Sequence, residues 1–162
     1  MIMSYILLIL GIMCLAGALV LVVWPRWVAA VPAFAGLVAL HLSYYIAVPA
    51  STFIFWGIAT ALVAGIVTMS PQGEPDGRRA SNLYVGVSAM AGCLLGILVG
   101  ARIMILGVIL GAFIGQMAYS RTPAGTWLRA DTGTFLRYFA AKCLPVIVAV
   151  SIVGIAVEGF IF

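Results

Sequence analysis

The sequence predicts an all-α integral membrane protein of about six transmembrane helices with a short glycine-zipper hairpin, and three observations carry that prediction. Of 162 residues, 65% are hydrophobic and 7% charged, and the mean hydropathy is +1.27. That is more apolar surface than one soluble core of this size can hide. The apolar runs have the length of bilayer spans, roughly 17–25 residues, and short breaks separate them. Finally, "GCLLGILVGARIMILGVILGAFIG" sets six glycines four residues apart in two groups of three, a spacing that lets helices touch closely.

The elements follow in order. Residues 2–24 form a first run closed by Pro25 and Arg26. It has no basic start and no small-residue cleavage site, so it is expected to stay as an anchor. Residues 28–48 form a second run closed by Pro49, and residues 52–69 a third. The polar stretch 70–82, "SPQGEPDGRRASN", must leave the hydrocarbon, where its Pro, Gly and charges could not satisfy the backbone; it is expected to be a cytoplasmic loop. Residues 83–119 as one helix would be roughly 55 Å long against a hydrocarbon core of about 30 Å, so they are predicted to fold back at Gly100-Ala101-Arg102. Residues 120–137 are read as a cytoplasmic amphipathic segment. Leu128, Phe135 and Phe139 would share one face there, with Arg129, Arg137 and Lys142 directed to water or lipid phosphates. Residues 138–162 make the last span, with a kink expected at Pro145. The whole of 1–162 reads as a single transmembrane domain.

Charge supports the count and orients it. With six spans and both termini outside, Arg26, Arg78, Arg79, Arg121, Arg129, Arg137 and Lys142 fall on the cytoplasmic side, and only Arg102 falls outside, as positive-inside bias requires. Trp24, Trp27, Tyr84, Tyr119 and Trp127 then sit near the inner interface, with Tyr44, Tyr45, Trp56 and Phe160 near the outer one. Eight basic residues on so apolar a chain are too few for a nucleic-acid surface. The lipid bilayer is the expected partner, together with a second copy or another membrane protein.

Residues four apart share a helix face, so Gly92, Gly96 and Gly100 form one groove, extended by Ser88, and Gly107, Gly111 and Gly115 form another. The grooves hold the two helices of the hairpin together, or at least one of them faces another subunit. The run "GVILGAFIGQM", after "GCLLGILVG" and before a basic stretch and a final apolar span, resembles the glycine-zipper part of a family of small bacterial multi-pass membrane proteins known as a domain of unknown function. The resemblance covers residues 83–162. It implies a multi-pass architecture in a bacterial cytoplasmic (inner) membrane, and no site; where that family often has an acidic residue, this chain has Gln116.

Groups that could carry chemistry are few. Cys14, Cys93 and Cys143 lie in three different spans without paired spacing, which suggests neither a metal site nor a disulfide, and no motif implies a cofactor. Ionisable groups within spans are expensive and therefore informative. His41 is expected on one helical face with Tyr44 and Tyr45, either as a structural histidine bonded to a neighbouring tyrosine or serine or as a proton- or ligand-handling group. Glu158 is expected near the outer surface, reaching for water or pairing with Arg102. These readings favour a self-associating protein or an accessory subunit of a membrane assembly. The alternative is a small channel or transporter lined by His41, Tyr44, Tyr45, Arg102 and Glu158. An enzyme is not expected, since no two reactive groups have a readable spacing.

Overall fold

The computed structural model describes residues 1–23, 30–69, 78–123, 126 and 132–161. Among these are seven α-helices: α1 (Ile2–Val23), α2 (Ala30–Leu42), α3 (Ala50–Met69), α4 (Arg78–Ile97), α5 (Ala101–Ser120), α6 (Thr132–Tyr138) and α7 (Leu144–Ile161). A π-helical segment, Phe139–Cys143, joins α6 to α7. Four helices, α1, α3, α5 and α7, are long and apolar enough to cross a membrane, and α2 and the apolar part of α4 are shorter. The predicted break at Pro25-Arg26, most of the loop 70–82, and Leu128, Trp127 and Arg129 lie outside the described residues.

Two helix pairs and a central helix make the bundle. The most extensive pairings are α4 on α5 and α1 on α2, and α7 packs against every one of α1 to α5. Its sequence explains that position. Between Val146 and Ala156 it carries only Val, Ile, Ala, Ser and Gly, an apolar surface on all sides, which suits a helix enclosed by others. Val146 to Ile152, Gly154 and Ala156 are buried. By contrast α1 and α3 keep broad aliphatic faces outward, including Ile6, Leu10 and Met13 on the first and Ile54, Ile58 and Leu62 on the second.

One end of the bundle gathers the start of α1, the α2–α3 connection, the α4–α5 turn and the last turn of α7. The ring centroids of Tyr5 and Tyr45 are 6.3 Å apart. Ile46 from the connection is buried against Gly159, where an added Cβ would meet its Cγ2 at 2.6 Å. Gly100 makes the tight turn, with φ 143°, a conformation that L side chains rarely adopt. The N–H of Gly100 bonds to the carbonyl of Gly96 at 3.1 Å, and the Gly100 carbonyl accepts from Met104 at 2.9 Å.

Several expectations are corrected in detail. The second run does not stay helical to residue 48: α2 ends at Leu42, because Ser43 turns its hydroxyl onto the Leu40 carbonyl at 2.6 Å and Tyr44 takes a left-handed φ of 63°, while Pro49 disfavours helix at the residue before it. The last five residues of the predicted loop, 78–82, belong to α4, where Arg and Ala are good helix formers. Arg102 lies in the first turn of α5 rather than in the turn between helices. In the described part of the segment 120–137 and just beyond it, Phe135 and Phe139 each set a ring edge-on to Phe113 of α5, with centroids 6.0 Å apart, and α6 continues into α7 through the π-helical segment. The kink expected at Pro145 takes the form of the π-helical turn before it, whose wider spacing accommodates a residue that lacks an N–H and crowds the carbonyl four positions back.

Candidate functional site

The glycine hairpin brings two helix backbones into direct contact. A methyl group added at Gly92 would land on the carbonyl of Gly107, and one at Gly107 on the carbonyl of Gly92. A Cβ at Gly96 would meet the backbone nitrogen of Met104 at 2.8 Å, one at Gly111 the carbonyl carbon of Ser88 at 2.9 Å, and one at Gly115 the carbonyl oxygen of Tyr84 at 2.6 Å. Each step of four along α4 is matched by a step of four back along α5. Five of the six glycines therefore face the other helix of the same hairpin, and Gly100 serves the turn. Neither groove is open to another subunit along these residues.

His41, Tyr44, Tyr45, Arg102 and Glu158 all lie at the end of the bundle that holds the α4–α5 turn, but they do not form one cluster. Tyr44 and Tyr45 are beyond the end of α2, so they do not share a helical face with His41, and Tyr44 is 92% exposed. The His41 Nδ1 accepts the backbone N–H of Val48 at 3.4 Å, and its ring stands edge-on to Phe53 at 4.8 Å. It closes the connection between α2 and α3, pairing with backbone rather than with a tyrosine or serine of a neighbouring helix. Ile46 and Val48 of that connection are buried. Arg102 is exposed and Glu158 partly buried, and among the described residues no ion pair joins them.

Glu158 does line a cavity of about 310 Å³ between the first turns of α3 and α5 and the end of α7. Ser51, Thr52, Phe55 and Trp56 come from α3, Ala101 and Ile105 from α5, and Ile155 from α7. Trp56 is buried and Phe55 is exposed, and their ring centroids are 5.2 Å apart in an edge-to-face arrangement. Thr60 and Ser151, buried side chains without a hydrogen-bond partner, lie one helical turn further along the same two helices, α3 and α7.

Three contacts escape the sequence reading. Gln116 is fully buried; its Nε2 donates to the Phe135 carbonyl at 3.2 Å, and its Oε1 accepts from the Cys143 thiol at 3.0 Å, so one amide ties α5 to both α6 and the π-helical segment. The only signal was a lone amide in an apolar run. Gly11 and Gly36 form a second close crossing, where a Cβ at Gly36 would meet the Gly11 carbonyl at 3.0 Å. Gly154 gives α7 a notch for Met104 and Cys93, with the Cys93 sulfur 2.9 Å from where a Cβ would stand. Among the described residues no group of three His, Cys, Asp or Glu side chains could hold a metal ion.

No family model matches the chain, and neither a curated protein nor a solved structure is detectably similar to it.

Proposed function

We propose that this is a six-span membrane protein that works by association through its perimeter, as a self-assembling protein or an accessory subunit, with both termini on the outer face of a bacterial cytoplasmic membrane. One observation carries this reading: the axis of the bundle is filled by α7, whose Val, Ile and Ala side chains pack against all of α1 to α5. A solute path through the centre would have to displace that helix. What the molecule offers its surroundings is its outer surface, and that surface is aliphatic.

The orientation rests on two further features. The start of α1 and the end of α7 lie at the same end of the bundle, which fits an even number of crossings. Arg121, Arg137 and Lys142 belong to the opposite end, with the start of α4 at Arg78, which fits positive-inside bias. The transport reading gains little, since its central residue, His41, is engaged by the Val48 N–H and the Phe53 ring.

The association surface is not the glycine grooves, which the hairpin itself uses; the exposed aliphatic faces of α1, α3 and α5 remain. The test is light scattering of the protein in mild detergent and in lipid nanodiscs, combined with photo-crosslinking in native membranes from Leu10, Ile58 and Leu110. A defined oligomer or a defined crosslinked neighbour is expected. A monomer in both settings with no crosslinked protein at any position, or solute flux in reconstituted liposomes, overturns the reading.

A further inference from the structure

The cavity at the end of α7 combines three kinds of group on an otherwise apolar surface. Glu158 brings a carboxyl group, one of only four acidic side chains in the chain. Trp56 and Phe55 bring two aromatic rings set edge to face. Ser51 and Thr52 bring hydroxyls at the first turn of α3. Carboxylate and aromatic faces together suit an organic cation, which donates to the one and lies over the other, and a volume of about 310 Å³ lies at the lower end of the range for small-molecule sites, roughly 300–1,000 Å³.

Two features narrow the cation. A primary ammonium has three N–H donors, which the carboxylate and the two hydroxyls can accept, whereas a quaternary ammonium has none and keeps only the charge of the carboxylate and the faces of the rings. The cavity lies at the ends of three helices long and apolar enough to cross a membrane, a place that suits a headgroup, and α3 beside it carries an outward column. Ile54, Ile58 and Leu62, spaced four apart, are 64%, 56% and 63% exposed, a track for an acyl chain. Arg102, exposed and one residue beyond Ala101 of the cavity wall, brings positive charge near the rim. A headgroup with an ammonium and a phosphate, carried on apolar tails, fits all of these.

We propose that the cavity binds an aminophospholipid, with the primary ammonium seated on Glu158 among Ser51, Thr52, Phe55 and Trp56 and the tails running down the exposed face of α3. The lipid fills a place between the first turns of α3 and α5 and the last turn of α7, so it joins three elements at one end of the bundle. This goes beyond association through the perimeter and does not depend on it.

Delipidated protein in detergent, titrated with phosphatidylethanolamine, phosphatidylcholine and phosphatidylglycerol and read by native mass spectrometry, tests the assignment. Phosphatidylethanolamine is expected to bind more tightly than the other two by about tenfold or more, the scale of one charge-assisted hydrogen bond. Glu158→Gln, which keeps shape and removes charge, is expected to erase that preference. Ser51→Trp supplies a second variant at an exposed position; by narrowing the mouth it is expected to lower phosphatidylethanolamine binding with the fold unchanged. Equal binding of phosphatidylethanolamine and phosphatidylcholine, or a preference that survives both variants, overturns the proposal. Competition by free ethanolamine at the concentration of the lipid overturns it too, by assigning the site to a soluble amine.

Discussion

A single methyl group is enough to separate α4 from α5. At Gly92 and Gly107 each added Cβ would occupy a carbonyl of the facing helix, and a backbone cannot step aside as a flexible side chain can. Gly92→Ala is therefore expected to lower thermal stability in detergent by about 1–3 kcal/mol, the range for overpacking. Gly17→Ala, on a helix face where a Cβ meets nothing within 4 Å, should leave it unchanged or raise it by up to about 1 kcal/mol through the backbone entropy that glycine loses on folding. Similar melting temperatures for the two variants would refute the contact. A different residue-scale balance holds at Gln116. Replacing it with Leu strips the Phe135 carbonyl of its donor and the Cys143 thiol of its acceptor in a buried place, at an expected cost of about 1–3 kcal/mol. Cys143→Ser keeps a donor for the Gln116 Oε1 and should melt closer to the native protein than Cys143→Ala does.

At the scale of elements, the π-helical segment sets how α6 meets α5. It holds one turn wider than an α-helix just before Pro145. With Pro145→Ala the missing N–H returns and the ring no longer crowds the preceding turn, so the segment is expected to tighten to α-helix. Losing one residue from the turn rotates α6 by about 100° relative to α7, which carries Phe135 and Phe139 away from Phe113. In a cysteine-free background, Phe113→Cys with Phe135→Cys should be joined by a short bifunctional thiol reagent when Pro145 is present and escape it once Pro145→Ala is added; equal crosslinking in both would rule out the rotation. Elements of this kind separate what a sequence displays from what it conceals. The hairpin was legible because glycines at a spacing of four mark one helix face and a run of 37 residues is too long for one span. The crossing of Gly11 with Gly36 was not, since one small residue on each helix has no period to read. Pro145 announced a distortion but not its type. The end of α2 at Leu42 was hidden because it depends on a tertiary arrangement, with the His41 ring receiving the Val48 N–H from seven residues further on. The cavity was hidden for the same reason: only Glu158 of its lining stood out in the sequence as a candidate for chemistry, and Ser51, Trp56 and Ala101 joined it only once three helix ends converged.

At the scale of the whole molecule, the two ends differ in what they gather. One collects the turns and the cavity, and the other receives the start of α4 and the end of α5, with Arg121 exposed there. Cysteine reporters placed at Gly77 and Thr126 are expected to label from the same side of the membrane, and one at Pro49 from the other; labelling of Gly77 and Thr126 from opposite sides would dismantle the six-span arrangement. The central position of α7 also has a consequence for how the chain is made. α7 ends about 40 residues after α5, so at roughly 5–20 residues per second the first five helices wait some 2–8 s on the ribosome before it is complete. During that interval Cys93 and Met104, which later pack into the Gly154 notch of α7, lack that cover. The helix that fills the middle is thus synthesised after the five that enclose it, and quality control in the membrane meets an open five-helix intermediate during translation; a ribosome stalled within residues 144–161 leaves that intermediate with its interior facing the proteases.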